Sequence, residues 1–184
     1  SVDPDIKTRV VLTSHWYNPS QSTQAAKTLA KQGADVIAKH EDSIGPLLGA
    51  KAAGVFGIGS EADTSAQTPD TYLTGSVYDW SDYAREKYQQ TVDGNFENNE
   101  VNGDLKTGMV KLGPMSDEVP ADVKAKVEDA QAKIESGDLV VFTGPLTDNT
   151  GKQQLASGRD WATPADVYAN MTFFLEGIIG KIQE

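Results

Sequence analysis

Five places along the chain carry side chains able to do chemistry. His40-Glu41-Asp42-Ser43 crowds an imidazole, two carboxylates and a hydroxyl into consecutive positions. His15-Trp16-Tyr17 and Tyr78-Asp79-Trp80 set aromatic rings beside polar groups. Gly57-Ile58-Gly59-Ser60 is a glycine-rich turn, and Asp148-Asn149-Thr150-Gly151 is a polar one.

Each place has a catalytic or cofactor reading that its context weakens. His40, Asp42 and Ser43 have the chemistry of a hydrolase triad, but triad groups converge from separate segments and no GxSxG elbow is present. His15, His40 and Asp42 could share a zinc ion, yet no HExxH-type spacing accompanies them. Gly57 to Ala62 matches GxGxxA, which must open a helix to hold a pyrophosphate, whereas a polar loop with Asp63, Thr64, Pro69 and Asp70 follows. Asp148 to Gly151 lacks the acidic ligand that closes a calcium loop and reads as a hairpin turn. No catalytic residue, metal or cofactor is therefore expected, and the chain is read as not an enzyme. Ligand contact remains, with Asp42 or Ser43 as a helix N-cap the plainer alternative. Trp16, Tyr17, Tyr78 and Trp80 could stack a flat heterocycle or pack a lobe or hinge.

The elements that must position these groups follow from periodicity. Arg9 to Ser14, RVVLTS, is a continuous apolar run that reads as a strand covered on both faces. Asn18 and Pro19 then start a helix that runs to about Gln32, and Gly33 stops it. Ala34 to Ala38, a helix from about Ser43 to Ala53, Gly54 as its stop and Val55 to Ile58 make the next βαβ unit. Two consecutive units imply a parallel sheet with right-handed crossovers, and ligands of such sheets sit at the carboxyl ends of the strands. Tyr72 to Val77 is a fourth strand, Ser81 to Val92 a helix, residues 95–107 a Gly/Asn-rich loop and Met109 to Leu112 a short strand. Val123, Val127, Ala130 and Ile134 mark a long helix that Pro120 begins and Gly137 ends. Leu139 to Thr143 reads as a strand and Lys152 to Leu155 as a hairpin partner beyond the polar turn. Thr163 and Pro164 open a last helix carrying Val167, Met171 and Leu175.

Composition narrows the partners. The 184 residues suffice for one well-buried domain, or for one lobe plus part of another. With 27 acidic against 16 basic residues, the net charge of -11 disfavours nucleic acid and anionic membrane surfaces. Cysteine is absent, which removes disulfides and thiolate chemistry. The opening SVDPDIKTR reads as a mature or truncated terminus, so the lack of a targeting segment carries no information.

The blocks QGADVIAKHEDS, AKAAGVFGIGSEADTSAQTPDTYLTGSVYDW, DLKTGMVKLGPMSDEVPADVKAKVEDAQAKIESGDLVVFTGPLTDNTGK and FFLEGIIG, in this order and spacing, resemble the basic membrane protein family of ABC-transporter substrate-binding lipoproteins. The resemblance runs from Arg9 to Gly180. It implies an α/β, type I periplasmic-binding-protein-like fold, a doubly wound parallel sheet in which two lobes close on a purine-like small molecule by hinge motion. It further implies an extracytoplasmic or lipid-anchored receptor that serves an ABC permease, with a ligand-sensing regulatory domain of the same fold as the alternative. Family members are about twice as long, so the amino-terminal lobe is expected to lie outside this chain. On that reading residues 1–77 and 108–184 form the second lobe, and residues 78–107 belong to the first. A fragment, an absent first half or a swapped dimer would each account for the length.

Carried over by the resemblance, Trp16 or Tyr17 stacks the purine, and His40 to Ser43 occupy the next strand end. Nucleoside-binding members clamp ribose with an Asp in a GVDSDQ-like turn and a Lys in a TSxVK-like strand end. The matching positions are read as Gly59 and Tyr78, which would leave sugar hydroxyls unpaired in a closed cleft. A free nucleobase or other small heterocycle is therefore expected over a nucleoside, with His40, Asp42 and Ser60 facing ring edges and Tyr78 filling the sugar's volume.

Overall fold

The computed structural model describes residue 3 and residues 5–182. The chain begins β1 (Thr8–Arg9), α1 (Pro19–Lys31), β2 (Val36–Ala38), α2 (Gly45–Ala53), β3 (Phe56–Gly59) and β4 (Tyr72–Tyr78). It continues through α3 (Ser81–Val92), β5 (Val110–Leu112), α4 (Ala121–Ser136), β6 (Phe142–Thr143) and β7 (Leu146–Thr147). It ends with β8 (Gln153–Leu155), β9 (Asp160–Trp161), α5 (Pro164–Asn170) and β10 (Ile178–Ile179).

The main sheet has the order β2-β3-β4-β5, with β2, β3 and β4 parallel and β5 antiparallel at the edge. β2, α2 and β3 form one complete βαβ unit, which Gly54 makes possible by ending α2 at φ 72°. Ala26 of α1, Ile37 of β2 and Ala50 of α2 are the buried centre, with Leu29, Ala34 and Val55 around them. The two helices approach closely because two glycines face α1. A Cβ at Gly45 would stand 2.6 Å from the Pro19 carbonyl oxygen, and one at Gly49 would stand 2.6 Å from that of Thr23. Thr23 Oγ1 donates to the Gly45 carbonyl at 3.0 Å across the same contact.

Several expected elements are corrected. RVVLTS is not a strand of the main sheet: only Thr8–Arg9 pairs, in parallel with β10, and Val10 adds one bond to Ile179 O at 3.0 Å. Val11 and Leu12 beyond it are about half exposed. The backbone of this apolar run finds its partner at the far end of the chain, a choice local patterning does not encode, so one βαβ unit forms instead of two. The strand expected over residues 139–143 shortens to β6, which pairs with β9. The last helix ends at Asn170, whose side chain turns back onto Asp166 O at 2.7 Å. Met171 and Leu175 lie outside it, where Phe173 packs on Trp161 with ring centroids 6.1 Å apart and Leu175 bridges to Asp148.

The turn expected at residues 148–151 forms around Asp148, but it joins β7 to β8, and the strand expected as the partner of β8 pairs with β9 instead. Asp148 Oδ1 accepts from Thr150 N, Thr150 Oγ1 and Lys152 N, and Oδ2 accepts from Gln154 Nε2 at 2.6 Å. Those donors, the Thr150 hydroxyl and the Gln154 amide foremost, hold the carboxyl well below the usual carboxylate range. Oδ1 takes three of these bonds and Oδ2 one, so the carboxylate is committed to shaping the turn.

Candidate functional site

Three parallel strands deliver their carboxyl ends to one edge. β2 is followed by Lys39 and His40, β3 by Ser60 and Glu61, and β4 ends at Tyr78. Trp16 reaches this edge from the loop before α1: its carbonyl accepts from Asp42 N at 2.8 Å, and its indole meets the His40 ring edge-on at 6.2 Å and 76°. Tyr78 N donates to Glu61 O at 2.9 Å. Contacts thus run without a break from Trp16 through His40 and Lys39 to Ser60, Glu61 and Tyr78.

The exposed side chains on this rim are Trp16 (67% exposed), Tyr17, His40, Asp42 and Tyr78. An edge-held indole with an open face can stack a planar ring, and the imidazole and carboxylate beside it can meet that ring's polar edge. Three residues singled out from the sequence lie beneath the rim. Ser43 is buried; its hydroxyl donates to Glu41 Oε1 and accepts from Gly45 N at 3.1 Å, so it ties the start of α2. Ser60 is buried and accepts from Lys39 Nζ at 3.3 Å. Gly59 is buried where a Cβ would stand 3.1 Å from both Thr64 Oγ1 and Tyr72 Cε2. Tyr17 is exposed next to Trp16, and among the described residues no three His, Asp or Glu side chains gather as a metal set.

Two neighbours of the rim, Lys39 and Glu61, were missed by sequence reasoning, and a third, Glu41, was named only as part of the polar cluster. Lys39 is almost fully enclosed (side chain 3% exposed), donating to Glu41 O at 2.6 Å and lying 3.6 Å from Glu61 Oε2. Glu41 is buried, among the described residues without a cationic partner, and its carboxylate accepts from Ser22 Oγ and Ser43 Oγ. Glu61 carries a carboxylate two residues beyond Gly59, so the turn keeps the acidic acceptor that the reading of Gly59 took as lost. The signal for Lys39 was a lysine beside the end of an apolar strand; Glu61 was hidden inside a pattern read only for its glycines.

Residues 1–141 match the family described as ABC transporter substrate-binding protein, PnrA-like. The chain belongs to this Bmp family. Over all 184 residues it is 32% identical to the purine-binding protein BAB2_0673 of Brucella abortus, covering 52% of that relative. Over 182 residues it is 25% identical to the putative ABC transporter glucose-binding protein TsgA13 of Haloferax volcanii, covering 44% of it. This Bmp chain therefore spans about half the length of the curated relatives it matches.

Solved structures agree on the fold. A transcriptional activator of the comK gene from Bacillus halodurans aligns with 69% of the chain and 46% of its own length, at 24% identity and a TM-score of 0.59. A solute-binding protein of an ABC transporter system from Conexibacter woesei aligns with 71% of the chain and 45% of its own length, at 23% identity and a TM-score of 0.55. The family and the α/β solute-binding fold read from the sequence are both borne out.

Proposed function

We propose that this chain is the carboxyl-terminal part of an extracytoplasmic solute-binding protein that serves an ABC permease, and that its rim is half of a site for a purine nucleobase or related small heterocycle. The observation that carries this reading is the exposed Trp16 ring set edge-on to His40 at the carboxyl ends of parallel strands, where open α/β sheets bind ligands. The purine assignment is supported by the Brucella abortus relative, whose name says it binds purines. Trp16, with Tyr17 beside it, supplies a stacking face. His40 and Asp42 address ring edges, Ser60 acts from beneath them through its bond with Lys39, and Tyr78 closes the far side. Ser43 and Gly59 act from below, by fixing the turn and by letting Tyr72 lie under it.

The second face of the ligand belongs to a first lobe outside this chain, or to a swapped copy. Support comes from residues 78–107, which leave the sheet after β4 and return at β5, directly alongside the point of departure. Trp80, Tyr88, Val92 and Phe96 are exposed along this excursion, as they would be if another lobe covered them. One observation favours a nucleoside over a free base: Glu61 places a carboxylate on the rim, able to accept from sugar hydroxyls.

A half-site buries one face of its guest, so binding by this chain is expected to be weak and suited to NMR titration. Adenine and hypoxanthine at millimolar concentration should shift the Trp16 indole N–H together with the backbone amides of His40, Ser60 and Tyr78, and Trp16→Ala should abolish the shifts. Scattered or absent shifts overturn the reading. Adenosine binding tighter than adenine, with the advantage lost in Glu61→Gln, would select the nucleoside.

A further inference from the structure

Glu61 has φ 73°, a left-handed backbone that residues other than glycine rarely adopt. Something must hold it there, because its carbonyl receives the Tyr78 N–H and so joins the turn after β3 to the end of β4. Its own position offers no glycine-like freedom. What it has is a lysine: Lys39 Nζ lies 3.6 Å from Glu61 Oε2, with its other bonds on Ser60 Oγ and Glu41 O. The ammonium starts on the strand next to Glu61, at the residue whose own N–H donates to Ile58 O at 3.1 Å. It therefore grips the turn after β3 at two successive residues, Ser60 and Glu61, while anchored to the turn after β2. Enclosing a lysine is costly unless acceptors surround it, and these three supply them.

We propose that Lys39 is a positioning residue of the rim: it straps the turn after β2 to the turn after β3, holds Glu61 in its left-handed conformation, and thereby sets the distance between the Trp16–His40 end and Tyr78. The strap is a feature of the fold; its consequence for affinity rests on the reading of the rim as a ligand site. Its side chain is enclosed, so it acts through Ser60 and Glu61 and not by touching a ligand. The strap predicts a coupling that a merely structural lysine lacks. If Glu61 were glycine, the left-handed turn would need no holding, and Lys39 would lose that part of its role.

The test is a double-mutant cycle on the 184-residue chain, read by amide hydrogen exchange at Tyr78, whose N–H is bonded to Glu61 O. Lys39→Met should speed exchange at Tyr78 by about tenfold, the loss of roughly one charge-assisted contact, while Gly57 and the α1 and α2 amides stay within about twofold. Glu61→Gln should speed Tyr78 in the same direction. Added to Glu61→Gly, Lys39→Met should have little further effect there. Unchanged exchange at Tyr78 in Glu61→Gln overturns the strap, and so does a uniform rise across the sheet in Lys39→Met or a full additional effect in the Glu61→Gly background. An adenine titration of Lys39→Met then reports on the rim separately. Weaker binding with the exchange result links strap to site. Absence of adenine binding in the unmodified chain refutes the ligand reading and leaves the strap to stand or fall on exchange alone.

Discussion

Where α1 crosses α2 the interior is made of the smallest side chains, Ala26, Gly45, Gly49 and Ala50, whereas the buried side chain of α3 is a lysine. The first region excludes water by backbone proximity and by Leu47, which is 1% exposed and lies against Gly57 of the sheet. The second is held by Lys87, whose Nζ donates to Gln90 Oε1, Glu97 O and Asn99 Oδ1 and stands 5.8 Å and 5.6 Å from the ring centres of Tyr83 and Phe96. Among the described residues α3 packs on no other helix or strand beyond marginal touches. Dense apolar packing is cooperative and unforgiving; a hydrogen-bonded cation is local and yields alone.

The largest expected effect follows from the closest approach. In Gly49→Leu a Cβ would sit 2.6 Å from Thr23 O and 2.7 Å from the Ala26 Cβ, so α1 must move off α2. A loss of about 3 kcal/mol or more is expected, read as poor soluble yield and a non-cooperative thermal melt. Next is Leu47→Ala, which leaves a cavity above Gly57 and should cost about 2–5 kcal/mol with a transition that stays cooperative. Urea denaturation measures both, and a Gly49→Leu chain as stable as the parent would refute the packing account.

Lys87→Met tests the other region. It keeps the aliphatic stem but removes the three hydrogen bonds and the cation between the two rings. Residues 95–107 should become cleaved about tenfold faster by a limiting protease, the loss of roughly 1–2 kcal/mol confined to the excursion. The global melting temperature should fall by only a few degrees. A global loss as large as that of Leu47→Ala would mean that the excursion and the body unfold as one unit, and would erase the distinction between them.

The legibility of the sequence divides along the same line. α1, α2, α3 and α4 follow from caps, glycine stops and apolar spacing, and β2, β3 and β4 follow from short apolar runs, because all these signals act within a dozen residues. β1 was misplaced because its partner, β10, lies at the other end of the chain, and the last helix was overextended because the aromatic contact between Phe173 and Trp161 competes with helical spacing. At the rim, His40, Ser60 and Tyr78 were legible as strand ends; Trp16 was expected at the end of a strand that does not form and reaches the same edge from the loop before α1. Lys39 and Glu61 were not legible, since their meaning lies in a pairing across strands: a lysine reads as solvated until an enclosing set of acceptors is seen. Ser43 was legible as either a ligand contact or a helix N-cap; its hydroxyl instead bonds Glu41 and the Gly45 N–H from the position before the N-cap, Ile44.

The smallest effect is expected at the root of the excursion, where Lys111 Nζ meets Asp79 Oδ2 at 2.6 Å beside the β4–β5 pair. The Lys111 hydrogen bond, with those from Ser81, holds the Asp79 carboxyl well below its usual range, and Asp79 in turn raises Lys111. A depressed carboxyl contributes stability that is full above the unfolded value of about 4 and drains away as pH falls from there toward the folded value. The raised lysine contributes below about 10 and loses its share as pH rises through its folded value. Both groups are exposed, so water and salt screen the pair. Lys111→Ala should therefore lower the melting temperature by about a degree at pH 7 and low salt, and by less in 0.5 M salt at roughly a third of the Debye length. At pH 3 the variant and the parent should draw together. The excursion's protease sensitivity should rise slightly in Lys111→Ala, well short of Lys87→Met. Equal sensitivity in the two variants would shift the anchoring of this segment from the enclosed lysine to the exposed clasp at its base.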